Sequence, residues 1–319
     1  MNEPVSKGDA DDGTTAPTEG ASRTKSAFVA VVGRPSTGKS TLLNALCGHK
    51  VAIISPVPQT TRNRIRGIVT REEGQLVFVD TPGFHESSRT FNRHMRGLIE
   101  ETIRDSEMLL YLVDASREPG EEELALMQIV ATHDSIPRMV AINKIDAVSP
   151  KQLQRIGILV DQRLGGIPTL GISALKGRGT DALLDELFRI APEGEPPYPP
   201  DFYTDQPPEF RVAEIVREKA MEGLRQELPH SIYVDILDME VREYKETEEQ
   251  LWIRAAILVE RDSQQGMIVG KGGQGIKRIR QGAQREIGKL FPYRIHLDLR
   301  VKVDPNWRKN DRVLERLVT

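Results

Sequence analysis

Short apolar runs alternate with amphipathic helical patterns through the first two hundred residues. The runs FVAVV, QLVFVD, MLLYLVD, RMVAIN and TLGIS have the length of buried strands. Short buried strands separated by helices predict a doubly wound α/β domain with a mainly parallel sheet. Only REE and a glycine separate RIRGIVT from QLVFVD, and so short a connection predicts an antiparallel hairpin between those two strands.

The pattern changes at the stretch APEGEPPYPPDFYTDQPPE, whose prolines cannot continue a helix or a central strand. Beyond it the apolar spacing predicts a helix, two strands, two helices around GKGG and a final strand, which is a smaller α+β unit. The opening residues are rich in Asp, Gly, Thr, Ser and Pro and lack an apolar run, so we expect a disordered tail. The predicted organisation is a tail over residues 1–25, a first domain over 26–191, a proline-rich linker over 192–208 and a second domain over 209–319.

Composition narrows the class of protein. The longest apolar runs are strand-sized, so we expect no transmembrane helix. The single cysteine, Cys47, excludes an internal disulfide framework and a multi-cysteine metal site, as is typical of a reducing cytoplasm, and we expect it to be a small core residue. The net charge is −3, but residues 251–319 contain fifteen Lys and Arg against seven Asp and Glu, which gives +8 there and −11 elsewhere. This asymmetry favours a polyanionic partner for the second domain.

The segment GRPSTGKS, residues 33–40, matches the phosphate-binding pattern G-x-x-x-x-G-K-[ST] and has the required context of a preceding strand and a following helix. Its glycines let backbone N–H groups point at phosphate oxygens, and the helix adds its positive end. We expect Lys39 to reach the β- and γ-phosphates and the hydroxyl of Ser40 to bind Mg²⁺. The residues predicted to contact the nucleotide here are Gly33, Ser36, Thr37, Gly38, Lys39, Ser40 and Thr41.

The tetrapeptide NKID indicates guanine rather than adenine, because it follows a strand and so lies at the carboxyl edge of the sheet, where nucleotides bind. The carboxylate of Asp146 can accept from the ring N–H and the exocyclic amine of guanine, a pair of donors that adenine lacks. We expect Asn143 to bond the base and tie its loop to the phosphate loop, and the stem of Lys144 to cover the ring. The motif SAL completes the pocket, and its middle N–H is predicted to donate to the guanine keto oxygen. Its residues are Ser173, Ala174 and Leu175.

The motif DTPG ends the strand QLVFV and is predicted to sense the terminal phosphate. Asp80 is placed to hold Mg²⁺ through a water, and the Gly83 N–H can meet the γ-phosphate. The first switch is expected within residues 56–66, where we favour Thr61 over Thr60 as the hydroxyl that joins Mg²⁺ in the GTP state. Phe84 stands where Ras-like GTPases carry the glutamine that orients the attacking water, so we predict slow intrinsic hydrolysis. The predicted catalytic residues are Lys39, Thr61, Asp80 and Gly83, and the predicted metal ligands are Ser40, Thr61 and Asp80.

The segment GKGG, residues 270–273, lies between two helical patterns in the basic second domain. A G-x-x-G turn between helices lets the backbone approach nucleic-acid phosphates and clamps about four nucleotides. Together with the α-β-β-α-α-β order and the local charge, it favours single-stranded RNA as the ligand over a basic protein-docking module. The predicted RNA-binding residues are Gly270, Lys271, Gly272, Gly273, Lys277 and Arg278.

The segments GRPSTGKSTLLNAL, SPVPQTTRNRIRGI, FVDTPGFH, NKID, VERDSQQGMIVGKGGQGIKRI and VKVDPNWRKN together resemble the Era family of bacterial GTPases. The resemblance runs from about residue 26 to the C-terminus. It implies a doubly wound P-loop GTPase domain followed by a smaller α+β type II KH domain, which binds small-subunit ribosomal RNA and assists assembly of that subunit. It also implies GTP or GDP with Mg²⁺ as ligands, and a cytoplasmic protein with some peripheral membrane association. We expect a monomer.

One position departs from the family pattern. Family members commonly read GRPNVGKS, in which the asparagine helps to hold K⁺ beside the phosphates, whereas this chain has Ser36 there. Serine has a shorter reach and a weaker oxygen donor, which argues against potassium-stimulated hydrolysis.

Two alternative functions stay open beside a switch in which nucleotide state controls how the GTPase domain sits against the KH domain. The first is a nucleotide-gated RNA-binding scaffold with negligible turnover, for which Phe84 and Ser36 are the supporting features. The second is a GTPase of the tRNA-modification type, which shares the phosphate and base motifs but does not explain GKGG.

Overall fold

The computed structural model describes residues 24–54, 65–80, 97, 99–222, 232–245 and 248–307. The predicted tail up to residue 23 lies outside these ranges. Lys25, which the sequence prediction places last in the tail, is already the first residue of a strand. None of the described helices combines the length and the apolar character that a membrane span needs.

The strands of the first unit are β1 (Lys25–Val32), β2 (Ile65–Arg71), β3 (Gly74–Asp80), β4 (Met108–Asp114), β5 (Arg138–Asn143) and β6 (Thr169–Gly171). They form one sheet with the order β2-β3-β1-β4-β5-β6. β2 and β3 pair in antiparallel register, and the other neighbours are parallel. The α/β prediction and the predicted hairpin are therefore both confirmed. The helices are α1 (Lys39–Cys47), α2 (Glu121–Thr132), α3 (Pro150–Leu164) and α4 (Thr180–Ile190).

Helices cover both faces of this sheet. One core cluster joins the apolar side chains of α1 and α4 to one face, and a second joins those of α2 and α3 to the other. Because helices cover both faces of the sheet, β3 and β4 are buried throughout, and most of their residues are apolar. The carboxyl ends of β1, β3, β4 and β5 open on one edge and bring together Gly33, Asp80, Asp114 and Asn143.

The second unit has the predicted α-β-β-α-α-β order. Its elements are α5 (Pro208–Glu222), β7 (Tyr233–Lys245), β8 (Glu248–Val259), α6 (Asp262–Val269), α7 (Gln274–Ile287) and β9 (Arg294–Val303). The three strands follow the order β7-β8-β9, with β7 antiparallel and β9 parallel to β8. Alternate residues of β8, among them Ile253 and Ile257, point into a core with the three helices.

Residues 192–207, which we call the connector, join α4 to α5 and lie along the first unit. The side-chain amide of Gln75 bonds both the N–H and the carbonyl of Tyr198, each at 3.0 Å. Further along, the carbonyl of Tyr203 accepts from the N–H of Ile68 at 3.0 Å. Because β2 is the edge strand of its sheet, the connector satisfies backbone groups that would otherwise face solvent.

Candidate functional site

The phosphate loop leaves β1 and runs directly into α1, as the sequence predicts. Gly38 has a φ of 99°, a conformation that glycine adopts without the strain of a Cβ. The ammonium of Lys39 folds back over the loop and donates to the carbonyls of Gly33 at 2.9 Å and Arg34 at 3.1 Å. Burial lowers the pKa of Lys39, while the nearby carboxylates of Asp80 and Glu123 oppose that shift. An anionic phosphate at this position would restore the stability of the charged lysine.

The guanine motif is bonded directly to the phosphate loop. The side-chain amide of Asn143 donates to the carbonyl of Thr37 at 2.8 Å, so the predicted tie between the two loops is confirmed. Lys144 adopts a φ of 66° and its ammonium donates to the carbonyl of Ser36 at 2.7 Å. These bonds fix the separation between the base-reading and phosphate-binding backbones before a nucleotide arrives.

The carboxylate expected to read guanine is exposed and held ionised. A hydrogen bond from the Ser173 hydroxyl is the main cause that lowers the pKa of Asp146. The N–H of Ala174 donates to Oδ1 of Asn143 at 2.9 Å. Its predicted bond to the guanine keto oxygen stays a prediction. The side chain of Leu175 is 74% exposed and forms an open rim.

Two oxygen ligands suited to magnesium meet at the start of α1. The hydroxyl of Ser40 donates to Oδ2 of Asp80 at 2.9 Å, which brings the two predicted ligands from separate elements together. A hydroxyl and a carboxylate are donors that Mg²⁺ prefers, and the ion commonly takes its remaining ligands from phosphate and water. Among the described residues no cluster of three His, Cys, Asp or Glu side chains forms a separate metal site.

The GKGG loop is the turn between α6 and α7, and its glycines are required by backbone geometry. Gly270, Gly272 and Gly273 have φ values of 69°, 59° and 76°. The loop presents Lys271 to solvent, and the first turns of α7 do the same for Lys277 and Arg278. Ile268 and Ile279, which lie on either side of the loop, are buried. The predicted RNA-binding residues therefore lie on one exposed, basic turn.

Comparisons with known proteins match both units of the chain. A family model described as 50S ribosome-binding GTPase matches residues 28–144, and one described as KH domain matches residues 227–308. GTPase Era of Treponema pallidum is 44% identical over 320 residues, which cover 94% of this chain and 99% of the relative. GTPase Era of Borreliella burgdorferi is 45% identical over 294 residues, with 92% and 99% covered. The chain belongs to the Era family of GTPases.

Solved Era structures share the architecture of this Era-family chain. A variant of Aquifex aeolicus Era bound to GDP·AlF4⁻ is 34% identical, with a TM-score of 0.84 over 93% of this chain and all of that one. Era in complex with MgGDPNP and nucleotides 1506–1542 of 16S ribosomal RNA gives the same identity, TM-score and coverage. The fold class and the GTPase activity predicted from sequence are confirmed.

Two groups of residues near the Era-family nucleotide site were missed by sequence reasoning. Oδ2 of Asp114, at the end of β4, lies 2.6 Å from the ammonium of Lys144 and holds it over the phosphate loop. Behind the loop, Nε of Arg34 lies 2.6 Å from Oε2 of Glu123 on α2. The hydroxyl of Tyr111 donates to the same carboxyl group, whose pKa is raised by burial. The sequence could have indicated Asp114, because this residue ends a strand at the carboxyl edge of the sheet. It gave no signal for Glu123, because this residue is one of three glutamates in the first turn of α2.

Several predicted residues lie outside the described ranges. Thr61 and the alternative Thr60 belong to residues 55–64, and Gly83 and Phe84 belong to residues 81–96. Their roles stay predictions. Thr37, by contrast, is described, and its hydroxyl donates to the carbonyl of Arg34 at 2.9 Å, which braces the loop. Thr41 lies in the first turn of α1.

Proposed function

We propose that this Era-family GTPase is a nucleotide switch that binds small-subunit ribosomal RNA through its KH domain and assists assembly of the small ribosomal subunit. The observation that carries the proposal is the GKGG loop, which places Lys271 on an exposed turn between two helices of a KH fold. A relative with the same architecture forms a complex with a 16S ribosomal RNA segment, which supports RNA as the ligand.

We propose that the nucleotide is bound with Mg²⁺, which Ser40 and Asp80 would hold together with Thr61 in the GTP state. When bound, the ion neutralises charge on the phosphates. Lys39 binds and orients the β- and γ-phosphates, and the Gly83 N–H contacts the γ-phosphate. Phe84 has no group that can orient water, so the intrinsic rate should be slow.

The domain organisation also stays a proposal. We retain the predicted GTPase unit over residues 26–191, with Lys25 added because it begins β1. The linker over 192–208 and the KH unit over 209–319 follow, and the tail precedes them. We place the protein in the cytoplasm as a monomer. Peripheral contact with the membrane, which the resemblance implies, stays a prediction.

The test of RNA binding removes the charge and shape of the GKGG loop. The double variant Lys271→Asp/Gly272→Asp places two carboxylates where phosphates would approach, and both positions are exposed. The dissociation constant for an RNA spanning nucleotides 1506–1542 of 16S ribosomal RNA, measured by fluorescence anisotropy, should rise about tenfold or more. GDP affinity should not change.

The matched control makes the same change in charge on α3. Lys151→Asp/Gln154→Asp alters two exposed residues of the GTPase unit and should leave the RNA affinity within about twofold. Equal losses in both double variants would show that only net charge matters and would refute recognition by the loop. Single-turnover hydrolysis of GTP with and without small ribosomal subunits then separates a switch from a scaffold, since a scaffold would not turn over in either condition.

A further inference from the structure

The connector and α5 contact described residues on both sides of 55–64, the segment that contains most of the predicted first switch. On the upstream side, the N–H of Ile54 donates to Oε2 of Glu218 on α5 at 3.2 Å. On the downstream side, Nη1 of Arg66 lies 2.7 Å from Oδ2 of Asp205 in the connector. The hydroxyl of Thr204 donates to the carbonyl of Arg66 at 2.9 Å. The same short stretch of chain therefore contacts the residues on either side of that segment.

Glu218 makes the more consequential of these contacts. Its side chain is 6% exposed, and its other oxygen, Oε1, accepts from the ammonium of Lys50 at 2.7 Å. The ammonium of Lys219, on the same helix, lies 3.3 Å from that oxygen. Lys50 follows α1, the helix that begins at the phosphate loop, and precedes the first switch. A buried carboxylate that loses a partner is costly, because its charge stays desolvated. Any rearrangement that moves Lys50 or Ile54 must therefore move α5 or break this contact.

A packed path of helices continues from Glu218 to the GKGG loop. α5 lies against α7, where a Cβ added at Gly282 would lie 3.3 Å from Cδ of Lys219. Oε2 of Glu286, also on α7, lies 3.9 Å from the ammonium of Lys50. α7 begins at Gln274, directly after the loop. Packed helices move as rigid bodies, so a shift of α5 reaches the loop.

We propose that the Glu218 carboxylate, with its partners Lys50 and Ile54, is the positioning contact through which the nucleotide state of the GTPase unit sets the RNA affinity of the KH unit. Asp205 is the second anchor, on the other side of the switch. The proposal rests on the proposed function, since it names the residues that regulate RNA binding. It requires that the contact differ between the GDP and GTP states, because only a differential contact can carry coupling.

The first experiment compares RNA affinity in the two nucleotide states. Full-length protein is loaded with GDP or a non-hydrolysable GTP analogue, and binding of the RNA spanning nucleotides 1506–1542 is measured. The two dissociation constants of the wild type should differ about fivefold or more. In Glu218→Gln and in Lys50→Met the ratio should fall to within about twofold of one, with no further fall in the double variant. A wild-type ratio of one, or unchanged ratios in the variants, overturns the proposal.

The control is Arg189→Gln, which removes an exposed 2.5 Å ion pair with Glu186 inside α4, away from the contact between the units. This variant should keep the wild-type ratio of RNA affinities. A loss there equal to that in the Glu218 variant would show that the effect does not depend on the Glu218 contact and would overturn the proposal.

The second experiment needs no RNA, so it separates failure of this proposal from failure of the proposed function. If the contact differs between states, breaking it must change the ratio of GDP affinity to GTP-analogue affinity. We expect Lys50→Met and Glu218→Gln to shift this ratio by at least about threefold, in the same direction as each other. An unshifted ratio in both refutes the contact as a switch element, whereas absence of RNA binding by the wild type refutes only the proposed function.

Discussion

Gly38 offers a sharp test of how the phosphate loop and the guanine motif depend on each other. A Cβ at this position would lie 2.4 Å from Nδ2 of Asn143, about 1 Å inside van der Waals contact. The φ of 99° adds the strain of a left-handed backbone, roughly 1–2 kcal/mol for alanine. Gly38→Ala therefore combines backbone strain with displacement of the Asn143 side chain.

The expected loss of GDP affinity follows from the two hydrogen bonds that the Asn143 side chain makes. It donates to the carbonyl of Thr37 and accepts from the N–H of Ala174, and two such bonds contribute about 2 kcal/mol together. The free protein can relax by turning Asn143 away, but the nucleotide complex needs it in place. Since about 1.4 kcal/mol is a factor of ten, the dissociation constant for GDP should rise about 30-fold in Gly38→Ala.

The control variant is Gly48→Ala, at the end of α1. Gly48 also has a left-handed φ, 64°, but no atom lies within 4 Å of an added Cβ. It should lower the free energy of unfolding by about 1 kcal/mol and leave GDP affinity within about threefold. Affinity is measured by titration with a fluorescent GDP and stability by urea unfolding. Similar GDP affinities in Gly38→Ala and the wild type, or equal losses in both variants, would refute the reasoning.

Four further outcomes are expected. Asp146→Asn should weaken GTP binding about a hundredfold and favour xanthosine triphosphate, whose 2-keto oxygen accepts from the new amide. Competition titration with the two nucleotides checks this change of preference, and an unchanged preference for GTP would contradict the assignment. Ser173→Ala removes the hydrogen bond that lowers the pKa of Asp146, so on acidification GDP affinity should begin to fall at a higher pH than in the wild type. Titrations between about pH 3 and pH 5, around the ordinary pKa of an aspartate, would show the difference. Ser36 has a φ of 62°, a conformation that asparagine tolerates better than serine, so the Ser36→Asn variant should be at least as stable as the wild type. We also expect this variant to hydrolyse GTP faster in KCl than in NaCl, and an equal stimulation of the wild type by KCl would oppose our interpretation of Ser36. Burial raises the pKa of Cys47 to about 12, so iodoacetamide at pH 8, followed by mass spectrometry, should label the native protein far more slowly than the unfolded chain.

The sequence was sufficient for the parts of the site that depend on local backbone geometry. The phosphate loop, the NKID turn and the GKGG loop each need particular residues at adjacent positions, because glycine or a strand end must occur at a fixed place. Those requirements are visible as motifs. The hairpin of β2 and β3 was predictable for the same reason, since a short connection leaves only one pairing direction.

Contacts between distant segments could not be predicted in this way. The ion pair of Arg34 with Glu123 and the contact of Lys50 with Glu218 each join ordinary charged residues that no local pattern distinguishes. The hydrogen bond from the Ala174 N–H to Oδ1 of Asn143 also depends on the rotamer that the Asn143 side chain adopts after folding. Such contacts arise from how the elements pack, and packing is not encoded at fixed spacings.

The connector changes where this chain can be divided. A fragment ending at residue 191 would contain every nucleotide motif, yet it would lack the backbone acceptor that Tyr203 gives to Ile68 and the partner that Asp205 gives to Arg66. Its edge strand β2 would then be a bare template for pairing with other chains. Isolated GTPase fragments cut there should self-associate on storage, whereas fragments that extend to residue 206 should remain dispersed. We therefore predict that residues 192–206, which the proposed organisation counts as linker, are needed for a stable nucleotide-binding fragment.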